Sequence, residues 1–259
     1  MKGNVDVMGI VNLSKEESLK RVDLRKQEVS EICLKMPNLD GLKSRVALVL
    51  DYSYSMENRY KNGMVQELVE KILPLAMNFD DNGEMELWIF SNGFHRLANI
   101  TLDNYYGYVD NKILPKYQMG GTEFAPVMND IKSRYIVEEP QNLPNYVLFV
   151  TDGDNSDPNP TTRLIKELSN HPIFFQFVGI GNCDFEYLNK LDTMGGRYVD
   201  NANFFAVKDI DNIEYKQLLK EYPEWIGNEK VQKMIQEQGT QQATQQGKQK
   251  KGLFSKLFG

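Results

Sequence analysis

At 259 residues, the chain is long enough to bury a core without disulfides, either as one large α/β domain or as two small ones. Its 41% hydrophobic and 25% charged residues are ordinary for a soluble globular protein, and a net charge of −6 argues against a binder of nucleic-acid phosphates. Two cysteines, Cys33 and Cys183, are too few for a disulfide framework and read as free thiols of a reducing compartment.

The start, Met1-Lys2-Gly3-Asn4-Val5-Asp6, lacks the apolar region of a signal peptide. No run approaches the roughly 18 apolar residues of a membrane span. The expected address is the cytoplasm. Ser14-Lys-Glu-Glu17 fits a capping box, so a helix is expected from there to about Lys35, with Leu19, Val22, Val29 and Ile32 inward. A short strand over Lys20–Leu24 is the competing reading. Pro37, Asn38, Asp40 and Gly41 end this lead-in, residues 1–42, with turn chemistry.

Arg45-Val-Ala-Leu-Val-Leu-Asp51 follows, five apolar residues ending in an acid. Such a run predicts a strand buried on both faces, as in the centre of a parallel sheet. A helical stripe of Val65, Leu68, Val69, Ile72 and Leu75 comes next, and Met85–Phe90 is a second strand. The Ser91-Asn92-Gly93 turn predicts a hairpin to an antiparallel edge strand around Arg96–Ile100. A short helix is expected over residues 104–114 and another from Phe124 to Tyr135. Asn145–Thr151 is a second wholly apolar strand, expected beside the first. A helix near Thr161–Leu168, a strand over Ile173–Ile180, a helix over Glu186–Leu191, a strand beginning at Arg197–Val199 and a helix over 211–222 complete the pattern.

Alternating strands and helices imply a doubly wound, mostly parallel Rossmann-like α/β sheet with one antiparallel edge strand, in one domain spanning 43–227. Residues 228–251, Gln-rich from Gln236, read as a polar linker. The tip, 252–259, carries Leu253, Phe254, Leu257 and Phe258 on one face of a helical turn, with lysines around it. Burying those four side chains contributes roughly 1.5–3 kcal/mol each before ordering costs. The tip therefore reads as a docking peptide that folds on a partner, with peripheral contact to an anionic membrane as the alternative.

Asp51, Ser53 and Ser55 alternate, so an extended segment points all three the same way beyond the strand end. Loops carrying Gly120-Gly121-Thr122 and Asp152 leave the same sheet edge. Carboxylates and hydroxyls without His or Cys suit a hard cation: Mg²⁺, Mn²⁺ or Ca²⁺. An acidic group of a partner would complete the coordination. Asp51 alone would read as a cap or turn acid, and Thr122 serves equally well as a cap for the helix near Phe124. Asp154 reads as a turn residue or as an acceptor behind the ligands. His95 and His171 have no second ligand at metal spacing, and Tyr105, Tyr106 and Tyr108 read as packing.

The combination of DxSxS at 51–55, Gly121-Thr122 and Thr151-Asp152-Gly-Asp154 resembles the von Willebrand factor A (vWA) domain with a metal-ion-dependent adhesion site. More narrowly, Leu73-Pro-Leu-Ala76, Leu87-Trp-Ile-Phe-Ser91, Phe94-His95-Arg96, Asn104-Tyr-Tyr-Gly-Tyr108, Phe175-Gln-Phe-Val-Gly-Ile-Gly181 and Arg197-Tyr-Val-Asp-Asn201 resemble bacterial tellurium-resistance (Ter) A-domain proteins, over residues 10–226. The resemblance implies a cytoplasmic, metal-dependent protein-binding module of a chemical-stress system, with no catalytic residue. One position departs from it: Tyr54 stands between the two serines, where the motif usually has Gly, beside the ligands and within reach of a partner. A phosphoester hydrolase using Asp51 is the runner-up, weakened by Ser53 where such enzymes carry a second carboxylate. A structural vWA domain with a vestigial site is the third reading.

Overall fold

The computed structural model describes residues 13–240. Five apolar residues in a row leave a strand no polar face, so β1 (Arg45–Asp51) lies inside a sheet, every residue buried. It pairs in parallel with β2 (Met85–Phe90) on one side and β4 (Asn145–Thr151) on the other. β5 (Ile173–Ile180) and β6 (Ala202–Val207) continue the parallel sheet. β3 (Phe94–Arg96) is the single antiparallel strand, paired with β2 at the edge. The order β3-β2-β1-β4-β5-β6 makes this the expected doubly wound sheet. Its connections change direction between β1 and β4, so a crevice opens beyond the carboxyl ends of those two strands.

Successive side chains face opposite layers. Val46, Leu48 and Leu50 of β1 join Tyr146, Leu148 and Val150 of β4 in one core, while Ala47, Val49, Val147 and Phe149 join the other. The first core packs under α1 (Lys15–Lys35) and α3 (Met64–Phe79), with α2 (Glu57–Lys61) between β1 and α3 in sequence. The second packs under α4 (Ala125–Lys132), α5 (Pro158–Leu168) and α6 (Glu186–Asp192). α1 begins in the predicted capping box: Glu17 N–H donates to Ser14 Oγ, and Ser14 N–H donates to Glu17 Oε2. Val22, Val29 and Ile32 are buried as expected, but Leu19 is 38% exposed. Ser18 takes the inward position instead, its hydroxyl donating to Glu70 of α3 at 2.6 Å. From α1 to Leu39, the lead-in thus packs on the same core.

Five other elements differ from expectation. The edge strand is Phe94–Arg96, and Ile100 makes only an isolated bridge to Met85. Residues 104–114 form turns and a single π turn, Val109–Ile113, in place of an α-helix. β6 starts at Ala202 instead of Arg197, because Arg197 is bound to the carbonyls of Asp192 and Met194 and closes the preceding turn. The expected helix over 211–222 is broken into a 3₁₀ turn (Ile210–Asn212), α7 (Tyr215–Leu218) and α8 (Tyr222–Gly227), the last restarted by Pro223. Finally, residues 229–240, assigned above to a linker, form a further helix, α9, with Val231, Met234 and Gln238 buried. Three apolar residues in a polar segment suffice, because Val231, Met234 and the partly buried Ile235 fall three and four apart on one helical face. The docking tip with Leu253, Phe254, Leu257 and Phe258 lies outside the described residues.

If α9 belongs to the folded unit, Val231→Asp should lower the melting temperature sharply, since an unpaired carboxylate in the core costs several kcal/mol. A linker would tolerate the change with no shift in a thermal melt.

Candidate metal centre

Asp51 ends β1 at the sheet's change of direction, and its side chain has no exposed surface. Two donors hold it: Ser53 N–H donates to Oδ1 at 2.8 Å, and Thr151 Oγ1, at the end of β4, donates to Oδ2 at 2.7 Å. Its backbone carbonyl accepts from the buried Tyr60 hydroxyl at 3.0 Å. Burial pushes the Asp51 carboxyl up to about 6, against the lowering effect of the hydrogen bonds from Ser53 and Thr151; the nearby Asp152 adds to the rise.

Beyond the Ser53 amide, three side-chain oxygens follow in a chain. Ser53 Oγ and Ser55 Oγ are 3.0 Å apart, and Ser55 Oγ donates to Asp152 Oδ1 at 2.7 Å. Ser53, Ser55 and Asp152 are therefore brought together beside Asp51, although Ser55 lies in the 3₁₀ turn Tyr54–Met56 and not in the extended segment expected of it. The third loop joins through its backbone. Ser53 and Gly120 form a parallel bridge, with Tyr54 N–H donating to Gly120 O at 3.0 Å and Gly120 N–H to Tyr52 O at 3.3 Å. The Thr122 carbonyl accepts from Ser156 N–H and Ser156 Oγ, which ties that loop to the one after β4. Gly120 and Gly121 permit this approach: a Cβ at either would meet the Asn92 side chain at 2.7 or 2.8 Å. Asn92 instead accepts the Gly121 N–H at 2.7 Å.

The alternative cap role for Thr122 is filled by another residue. Asp157 accepts the N–H groups of Phe124 and Ala125 at 2.9 and 2.8 Å, which leaves the Thr122 hydroxyl without a hydrogen bond among the described residues. Asp154 turns away from the ligand chain and accepts the N–H groups of Tyr187 and Leu188 at the start of α6. Tyr54 is 70% exposed and lies in a 3₁₀ turn with negative φ, so the backbone there has no need of glycine.

Sequence reasoning missed Arg59. It lies four residues after Ser55, on the same side of the turn leading into α2, and donates through Nη1 to Asp152 Oδ2 at 2.6 Å. Helical spacing from Ser55 was the available signal. Asp157 and Asn92, which shape the second loop, carried none.

The donor set is all oxygen, and this fits a hard divalent cation. Among the described residues no group of three or more His, Cys, Asp or Glu side chains is placed to hold a metal, so a site of thiolates and imidazoles has no counterpart here. Asp51, Ser53, Ser55, Thr122 and Asp152 are the residues that would hold such an ion. When bound, it would supply a concentrated positive charge facing the loops' open side.

Comparison with known proteins agrees with this architecture. A family model described as the vWA found in the TerF C terminus matches residues 43–235. The protein YcbR of Bacillus subtilis (strain 168) is 40% identical over 244 residues, covering 92% of this chain and 98% of its own. Among solved structures, proximal thread matrix protein 1 from the mussel byssus aligns over 70% of this chain and 47% of its own, at 16% identity and a TM-score of 0.51. The SpRpn10 VWA domain aligns over 70% of this chain and 96% of its own, at 13% identity and a TM-score of 0.50. At those identities the structural likeness speaks for the fold alone, whereas the family match spans most of the described residues. The chain belongs to the TerF-like family of von Willebrand factor A domains.

Proposed function

We propose that this domain is a metal-dependent protein-binding module. It holds one divalent cation, Mg²⁺ with Mn²⁺ or Ca²⁺ also suited, through Asp51, Ser53, Ser55, Thr122 and Asp152. Through that ion it captures an Asp or Glu side chain of a protein partner. The observation that carries the reading is the run of hydrogen bonds from the Ser53 amide to Asp51 and on through the Ser53 and Ser55 hydroxyls to Asp152, at the sheet's change of direction. The TerF-like family supports a place in a cytoplasmic tellurium-resistance or chemical-stress system. Among the described residues no helix is long and apolar enough to cross a membrane. The apolar tip at 252–259 is proposed as a second attachment point for a partner.

Binding is favoured over catalysis by how Asp51 is held. With both oxygens accepting hydrogen bonds and no exposed surface, its carboxylate is withheld from attack on a substrate. Its neighbour Ser53 has no carboxyl to act as an acid.

Two measurements test the reading. A cation at 100 times its dissociation constant stabilises the folded state by about 2.7 kcal/mol, which in a domain of this size raises the melting temperature by roughly 5–10 °C. Mn²⁺ or Mg²⁺ should produce that rise in the parent and none in Asp51→Ala; an equal rise in both removes Asp51 from the site. Pull-down with and without chelator tests the second step, since partners retained equally in EDTA would contradict metal-bridged recognition.

The metal-free protein should also bear the cost of its site. Because the folded state raises the Asp51 carboxyl to about 6, the ionised form opposes folding above that pH, and the penalty fades as pH falls through 6. In EDTA at neutral pH, Asp51→Asn should therefore stabilise the protein by about 1–3 kcal/mol. The gain should shrink towards pH 5 in a series of thermal melts.

A further inference from the structure

The site contains a third charge besides its two carboxylates, and we infer that Arg59 sets how strongly the bound ion demands an acidic partner. The inference rests on the metal reading above. Arg59 Nη1 lies 2.6 Å from Asp152 Oδ2, the oxygen that Ser55 leaves free. The pair is largely withdrawn from water, with side-chain exposures of 23% for Arg59 and 7% for Asp152, so solvent damps it only in part. A guanidinium does not give up its proton, so this counter-charge is permanent. Asp51, Asp152 and Arg59 together carry one negative charge. Against a divalent ion they leave one positive charge unmatched, which a single incoming carboxylate neutralises.

The guanidinium is held in place from a second side. Arg59 Nη2 reaches the Ile180 carbonyl, at the end of β5, at 3.4 Å. The next residue, Gly181, has φ +118°, and a Cβ there would stand 3.0 Å from Nη2. The chain thus turns at a glycine where Arg59 lies against it. Arg59 is accordingly a positioning and charge-setting residue: it touches a ligand of the ion and not the ion.

The arrangement makes opposite demands on the two binding steps. Removing the guanidinium charge should tighten the ion, because the side chains then match its charge alone. It should weaken the carboxylate, because the filled site is then already neutral. A purely structural role for Arg59 would move both steps the same way, or neither.

The experiment measures Mn²⁺ affinity by calorimetry, with and without added acetate, in the full-length parent and in Arg59→Met, Arg59→Gln and Arg59→Lys, with thermal melts confirming that each folds. Arg59→Met should bind Mn²⁺ roughly tenfold more tightly than the parent, and acetate should strengthen its Mn²⁺ binding less than it does the parent's. Arg59→Lys should stay near the parent in both. Arg59→Gln is the second neutral variant, keeps a donor for Asp152, and should follow Arg59→Met. Unchanged or weaker Mn²⁺ binding in a folded neutral variant overturns the inference, as does undiminished help from acetate. A parent that binds no Mn²⁺ overturns the metal reading itself, and this inference with it.

Discussion

A carboxylate with no exposed surface has to be paired with donors, and at Asp51 those donors come from two places in the fold. One is the amide of Ser53, two residues further along the same segment; the other is the Thr151 hydroxyl at the end of the neighbouring strand. The first bond bends the chain so that Ser53 and Ser55 line up behind Asp51. The second couples the ends of the two central strands and sets where the loop bearing Asp152 begins. The parallel pairing of β1 with β4 puts Leu50 opposite Val150, so the two strand ends arrive level. The burial that raises the Asp51 proton affinity is a product of this same construction.

The loops around this point are joined by backbone more than by side chains. The Ser53–Gly120 bridge extends the sheet's pairing by one step beyond its formal end, and Ser156 donates twice to Thr122 O. Backbone contacts of this kind are indifferent to the side chains they carry. That is why Tyr54 can stand where related motifs have glycine: its φ is negative and its amide still reaches Gly120. An aromatic ring is thereby displayed next to a candidate ion site with no disturbance of the ligands.

How much of this was legible in sequence follows the range of the forces involved. β1, β4 and β5 were found with their bounds because a wholly apolar run has one stable use, the middle of a covered sheet. The alternation expected of Asp51, Ser53 and Ser55 was legible only in part: extended backbone reaches Ser53, but Ser55 lies in the 3₁₀ turn Tyr54–Met56, where a period of two no longer applies. Capping by Ser14 and Glu17 was local and readable. Part of what escaped depended on contacts distant in sequence. Asp157 caps a helix more than thirty residues before it, and Arg59 pairs with an aspartate 93 residues on. Arg197 spends its guanidinium on carbonyls and delays β6, which no propensity scale registers. α9 was hidden by composition: polar residues dominate the segment, while Val231, Met234 and Ile235 supply its packed face.

The place of α9 has a bearing on how the protein can be used. Its later part is fastened by Gln238, whose amide donates to the Tyr135 carbonyl at 2.8 Å, and by Gly239, which lies against Asn142. Tyr135 and Asn142 lie between α4 and the first residue of β4, so this contact is at the amino ends of the parallel strands. Asp51 and Asp152 are at their carboxyl ends. The body of the sheet, roughly 23 Å for a seven-residue strand, therefore stands between the ion-binding loops and the point where the chain passes residue 240. A partner held at the proposed ion site would therefore sit at the opposite end of the sheet from residue 240.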